Sequence, residues 1–224
     1  MARPAGANAE LTRSRILDSA SSHFANLGLG GVSVRDIARS AGVSLGMVHH
    51  YFGSKDELYQ ACVESMYEEL HNMRAELMSQ LKTASSVEQL MSEAVRVSFH
   101  FAREHQTSIR LLMRTVVEHG ELGPVQQQAL QLPFLEEISG ALANATGKSL
   151  TELRLAAQST TFLVSRYALS SDHELRVLTG LPKGSFKAVL AEVENHLARA
   201  ALALLGLPQP NGGPMTQLAA TGAS

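Results

Sequence analysis

Along most of this chain apolar residues return every three or four positions, the period of an α-helix that turns one face to a core. Ile16, Leu17, Ala20, Phe24 and Leu27 form the first such stripe, and Gly28, Gly30 and Gly31 end it. A short helix follows, with Ser33 and Asp36 spaced as a capping box and Val34, Ile37, Ala38 and Ala41 on one face. Gly42 and Val43 supply a tight break, since glycine can take the positive φ of a sharp turn. Ser44 caps a third helix whose inward residues are Val48 and, one turn later, Tyr51 or Phe52. Ser54 and Glu57 form a second box, which opens a long helix with Leu58, Ala61, Cys62, Ser65 and Met66 on one side.

Beyond about Leu81 the same period continues with less punctuation. Ser85 and Glu88 open a helix, residues 104–107 are expected to bend, and residues 120–124 break the chain. Pro133 falls inside a helical stretch that ends near Gly147, where it should kink the helix or mark a boundary. Ser149 and Glu152 open a helix reaching about Ser170. Residues 182–185 precede the last helix, in which Phe186, Val189, Leu190, Val193, Leu197, Ala200, Ala201 and Leu204 keep helical spacing. In the helix before it, Leu153, Leu155, Ala157, Phe162, Leu163, Val164, Tyr167 and Leu169 surround the axis. That suits either a helix covered by a second subunit or the central helix of a monomer. Strand-type alternation is nearly absent, so an all-α fold is expected, with residues 1–8 and 207–224 as disordered tails.

Composition narrows the class. With 45% hydrophobic and 18% charged residues in 224, the chain can bury a core and is no disordered polyelectrolyte. No apolar run approaches the roughly 18 residues of a membrane helix, and the first residues lack a signal-peptide pattern, which points to the cytoplasm. The single cysteine, Cys62, has no partner for an internal disulfide and no zinc-type spacing, and it reads as core packing. A net charge of -2 speaks against a phosphate-rich partner. The distribution is uneven, however: residues 1–55 hold six Lys and Arg against three carboxylates, and the rest of the chain holds thirteen against eighteen. Ordinary solvated faces can produce such a difference, so charge leaves both readings open.

The short helices joined by Ala41-Gly42-Val43-Ser44 have the size and break of a helix-turn-helix, whose second helix lies in the major groove. With Val48 and Phe52 inward, Gly46, His49 and His50 face outward. From Val32 through Arg35, Asp36, Gly42, Tyr51, Phe52 and Lys55 to Leu58, the chain resembles, without a gap, the tetracycline-repressor (TetR) family of bacterial transcription regulators. The resemblance implies a three-helix DNA-binding domain over residues 9–54 and a larger helical effector-binding and dimerisation domain over 55–206.

It also implies roles for residues. Ser33 matches a phosphate-contacting cap at a helix N-terminus, Val34 stands beside it, and Arg35 matches a groove-directed residue able to read guanine. Ser44, Leu45, Gly46 and Met47 form the leading end of the recognition helix. His49, His50 and Tyr51 flank the DNA backbone, and Lys55 meets a phosphate. Two positions depart from the family pattern: Leu45 replaces a polar or basic residue, and His49 replaces a common tyrosine. Leu45 and Met47 either press on thymine methyls or pack against Val48. A protonated histidine gains charge for phosphate, so DNA affinity is expected to rise as pH falls toward about 6. Arg13 and Arg15 lie near enough to reach an adjacent phosphate or minor groove, with plain solvated charge as the alternative.

The implied mechanism is that of a repressor: a homodimer on a palindromic operator, joined through residues 150–171 and 185–205 as a four-helix bundle and released by a small molecule bound among the middle helices. Phe99, His100, Met113, Phe134, Phe162 and Tyr167 are the large side chains available to an effector cavity. Arg110, Arg114 and Arg166 are available to an anionic group, with ordinary packing open for all nine. No cofactor is expected. His100, His105 and His119 lack metal-ligand spacing, so no metal is expected either. Paired carboxylates, a Gly-rich phosphate loop and a Ser/His arrangement are all missing, which speaks against an enzyme. Two alternatives remain: a DNA-binding protein of the same fold without small-molecule control, and a helical-bundle enzyme, which turnover of any compound would reveal.

Overall fold

The computed structural model describes residues 5–81 and 86–207, and these are helical with no strand among them. Helix α1 (Ala5–Leu27), α2 (Val34–Ala41) and α3 (Leu45–Phe52) make the N-terminal group, and the long α4 (Lys55–Leu81) leads out of it. There follow α5 (Val87–Glu104), α6 (Gln106–His119), the single turn α7 (Pro124–Gln126), a π-helical segment Gln127–Gln131, and α8 (Leu132–Thr146). Helices α9 (Leu150–Ala168), α10 (Asp172–Thr179) and α11 (Phe186–Leu204) complete the described chain.

Helix α1 is the hub of the N-terminal group. Ile16, Ala20 and Phe24 are fully buried against α2 and α4, where Ile37, Leu58 and Cys62 complete the layer. The Phe24 and Tyr59 rings meet edge to face at 5.1 Å. Across the larger half, α5 packs against α9 and α11, and α8 lies along α9, around a core that includes Phe99, Leu142, Leu153 and Val193. Helix α6 packs on both α1 and α4, so the two halves share one wall. Arg103 ties the far end together: Nη1 donates to the carbonyls of Ala168 and Ser170, Nη2 pairs with Asp172 at 2.7 Å, and the guanidinium lies 5.6 Å from the Phe186 ring.

Several boundaries differ from the sequence expectation. Residues 5–8, expected in a tail, are the first turns of α1, consistent with the high helix propensity of the alanines at 5, 7 and 9; residues 1–4 lie outside the described part. Leu27 is 55% exposed, because α1 ends there and the chain turns away at Gly28, whose φ is +70°. The Ser33 box does not close: the hydroxyl accepts from Arg35 N–H, and Asp36 pairs instead with Arg39 at 2.8 Å. The boxes at Ser54–Glu57 and Ser149–Glu152 do form. Ser86, one residue after the expected Ser85, caps α5 by accepting from Gln89 N–H, and Ser85 lies outside the described residues.

Pro133 marks a boundary. It has no N–H to offer the Ala129 carbonyl, and the preceding five residues adopt the wider π register before α8 starts. Helix α10 was not expected, although Ser171 caps it by accepting from Glu174 N–H, a spacing visible in the sequence. In the expected C-terminal tail, Leu207 is still held by its N–H on the Leu202 carbonyl at 2.9 Å, and residues 208–224 lie outside the described part.

Candidate functional site

The turn between α2 and α3 requires its glycine. Gly42 has φ +65°, and a Cβ there would stand 2.6 Å from Arg15 Nη2. That guanidinium donates to the Ala41 carbonyl at the end of α2, a group with no partner inside its own helix. Ser19 Oγ donates to the Ile37 carbonyl at 3.1 Å, which gives α1 a second hold on α2. Arg13 lies over the Phe52 ring at 5.3 Å. Both N-terminal arginines therefore have intramolecular partners that orient the two short helices, a role the sequence reading did not assign.

With that scaffold set, α3 turns Val48 and Phe52 into the core and leaves Gly46, Met47, His49 and His50 exposed. Ser44 Oγ accepts from Met47 N–H at 3.3 Å, leaving the helix N-terminus at the surface. Leu45 is half-buried, as is Tyr51, whose ring meets His50 edge to face at 5.3 Å. His49 Nδ1–H donates to the Gly53 carbonyl at 2.7 Å, because a carbonyl can only accept; Nε2 is the ring nitrogen left for another partner. On α2, Ser33 and Arg35 are exposed and Val34 is half-buried against the core. No ion pair among the described residues uses Arg35, whereas Arg39 is paired. Lys55, half-buried, opens α4 next to the Ser54–Glu57 box. In that box the Ser54 backbone N–H and hydroxyl hold the Glu57 carboxyl below its ordinary value.

A cavity of about 430 Å³ runs between α4, α5, α6, α8 and α9, with part of the π segment on its wall. Its lining is mainly apolar, with Leu77, Met91 and Ile109 typical. Of the side chains expected there, Met113, Phe134 and Phe162 line it. Phe99, His100 and Tyr167 do not. Phe99 is fully buried in the core, His100 Nε2 pairs with Glu194 at 3.0 Å, and Tyr167 Oη lies 3.3 Å from His196 Nε2. The three expected arginines are also elsewhere: Arg110 is exposed, Arg114 pairs with Glu118, and Arg166 pairs with Glu174. The arginine on the wall is Arg74, which sequence reasoning missed. Its spacing from Leu70 and Leu77 on α4 was the available signal, since it puts a cation on an inward stripe.

Helices α9 and α11 present an outer face of their own. Leu155 is 64% and Phe162 42% exposed, and a shallow depression there is lined by Ser159, Phe162, Leu163, Ala200, Ala203 and Leu204. Phe162 borders both this face and the cavity.

A sequence profile for bacterial regulatory proteins of the tetR family matches residues 16–62, which takes in α2, α3 and their packing partners. The chain is 29% identical over 205 residues to the HTH-type transcriptional regulator SrpR of Pseudomonas putida, covering 88% of this chain and 93% of that one. It is 36% identical over 87 residues to the HTH-type transcriptional regulator BetI of Rhizobium meliloti, a match spanning 39% of this chain and 41% of that relative. The fold is similar to the crystal structure of a TetR-like transcriptional regulator from Rhodococcus sp. RHA1, at TM-score 0.61 and 24% identity over 86% of this chain and 96% of that one. The chain is thus similar to the tetR family of bacterial regulatory proteins in sequence over residues 16–62, and to a TetR-like regulator in fold beyond them. No helix among the described residues is long and apolar enough to cross a membrane.

Proposed function

We propose that this protein is a ligand-responsive transcriptional repressor without enzymatic activity, acting in the bacterial cytoplasm at the nucleoid. It binds a palindromic operator as a homodimer and leaves it when a small molecule fills the cavity. The observation that carries the reading is α3, a capped helix whose outward side chains are Gly46, Met47, His49 and His50 while Val48 and Phe52 anchor it. In this reading Arg35, Ser44, Leu45, Gly46 and Met47 meet base edges, with Val34 at the groove margin. Ser33, His49, His50, Tyr51 and Lys55 meet the backbone. His49 would meet it through Nε2, the ring nitrogen that its Gly53 contact leaves available.

One such head reads few base pairs, so two copies are required for a specific site. The outer face of α9 and α11, with Leu155 and Phe162 exposed, supports a two-fold bundle there. Phe162 borders cavity and face alike, which supports a link between cavity filling and the spacing of the heads. Selection of bound sequences from a random DNA pool, followed by binding to the winner across a salt series, tests the reading. A palindrome with log affinity falling steeply in log salt is expected. Failure to enrich any sequence, with binding no tighter than roughly 10⁻⁶ M, would overturn it.

A further inference from the structure

Helix α4 meets the junction of α5 and α6 at Glu69, and that meeting divides it. On one side Leu58 and Cys62 are buried in the N-terminal group, and on the other Leu70, Met73 and Leu77 line the cavity. Glu69 Oε2 accepts there from two donors, the His105 ring through Nδ1–H at 3.0 Å and the Ser108 hydroxyl at 2.7 Å. His105 is the residue at which α5 ends and α6 begins: its N–H donates to the Phe101 carbonyl at 2.9 Å, and its carbonyl accepts from Ile109 N–H at 3.1 Å. Its ring is stacked on that of Phe101, with centroids 4.2 Å apart and planes 17° from parallel. Phe101 belongs to the cavity wall. An unbroken series of contacts therefore runs from the cavity through Phe101 and His105 to Glu69 on α4.

The other side of the junction is held. Arg103 Nη1 and Gln106 Nε2 both donate to the Ala168 carbonyl at the end of α9, at 3.3 and 2.7 Å. With the residues around His105 tied to α9, displacement of the Phe101 ring by a bound molecule is taken up by the His105 ring and passed to Glu69. Hydrogen bonds to a carboxylate exceed those between neutral groups in strength, which suits this node to carry the displacement. We propose that Glu69, held by His105 and Ser108, is the positioning residue through which cavity filling reaches the N-terminal group, with Phe101 as the side chain that meets the ligand. This rests on the reading of the cavity as the effector site.

The test is hydrogen–deuterium exchange of the full chain with and without saturating N-phenyl-1-naphthylamine, an uncharged apolar probe whose fluorescence also gives its affinity. In the parent, filling should change the protection of amides in α5 and α6 and of residues 55–66 in α4. Glu69→Leu removes the acceptor, whereas His105→Gln keeps a donor for Glu69 and loses the ring stacked on Phe101. Both positions are more than one-third exposed, so neither change empties the core. Each variant should take up the probe as the parent does and respond in α5 and α6, while the response at residues 55–66 is lost. Glu69→Gln, which keeps an acceptor oxygen, should retain it. A response at residues 55–66 that persists in Glu69→Leu or His105→Gln, as direct transmission along α4 gives, would overturn the inference. Its absence from the probe-treated parent, or no uptake of the probe, would do the same. Operator affinity is measured on the same samples, and the loss of affinity driven by the probe should be about tenfold smaller in Glu69→Leu. A response at residues 55–66 without operator release counts against the regulatory reading and leaves the inference standing, whereas equal release from parent and Glu69→Leu does the reverse.

Discussion

Arg114 Nη2 donates to the Asn26 carbonyl at 3.2 Å, joining the middle of α6 to the last turn of α1. The same α6 supplies Ile109, Leu112, Met113 and Val116 to the cavity wall, so one helix touches both the cavity and the hub of the N-terminal group. Substituting Arg114→Met keeps the stem and removes the donor. Operator affinity is expected to change by about 2- to 30-fold, the range of coupling energies of roughly 0.5–2 kcal/mol, with the salt dependence unaltered because Arg114 would contact no phosphate. Equal affinities for both proteins would remove this connection.

Arg35 and Lys55 should separate base reading from phosphate binding. Arg35→Ala is expected to relax preference at one operator position by about 1–3 kcal/mol, whereas Lys55→Ala should weaken all sequences alike and reduce the salt slope by about 1. Competition binding with single-base operator variants across a salt series measures both effects. Identical profiles for the two variants would show that the roles are misassigned.

Phe162→Asp places a carboxylate on the exposed face of α9 and α11. Sedimentation velocity is expected to give a dimer for the parent chain and a monomer for this variant, with Leu155→Asp behaving alike. A monomeric parent chain would place operator recognition on some other basis.

The Ser54–Glu57 box makes the start of α4 sensitive to acid. The Glu57 carboxylate accepts from the Ser54 backbone N–H at 2.6 Å, and this bond, with the Ser54 hydroxyl, lowers its pKa from 4.5. A carboxyl depressed in the folded state contributes stability that is complete above its unfolded value and is lost as pH falls through the folded one. Glu57→Gln should therefore be less stable than the parent at pH 7, and the gap in denaturant midpoint should close below about pH 4. A gap that stays constant with pH would assign the effect to packing.

Cys62 is buried against α1 with its thiol on the Leu17 carbonyl, and burial pushes its pKa up to about 11. A thiol reagent at pH 8 should leave the native protein unmodified and react at the rate of unfolding. Rapid stoichiometric labelling of folded protein would contradict this.

The N-terminal group was legible in the sequence because its determinants are local. Gly42 sets the turn, Ser44 and Ser54 set the helix starts, and the spacing of Val48 and Phe52 decides which side of α3 faces out. Period and capping carry the same information through most of the chain, so the helical class and most breaks could be read directly. Ser171–Glu174 carried that signal too and was passed over, hidden by the longer stripes on either side.

What only the tertiary structure decided are pairings between residues far apart in sequence. Arg15 and Arg13 look like free cations until α2 and Phe52 come within reach. Phe99, His100 and Tyr167 look like cavity side chains until the core takes up the first and Glu194 and His196 engage the other two. Arg74 looks like one more helical arginine until α8 brings Glu137 to one end of its guanidinium and leaves Nε without an acceptor. Periodicity says that a side chain points inward. Whether it meets a core, a counter-charge or an empty volume depends on which helix lies opposite, and that is set by packing across the whole fold.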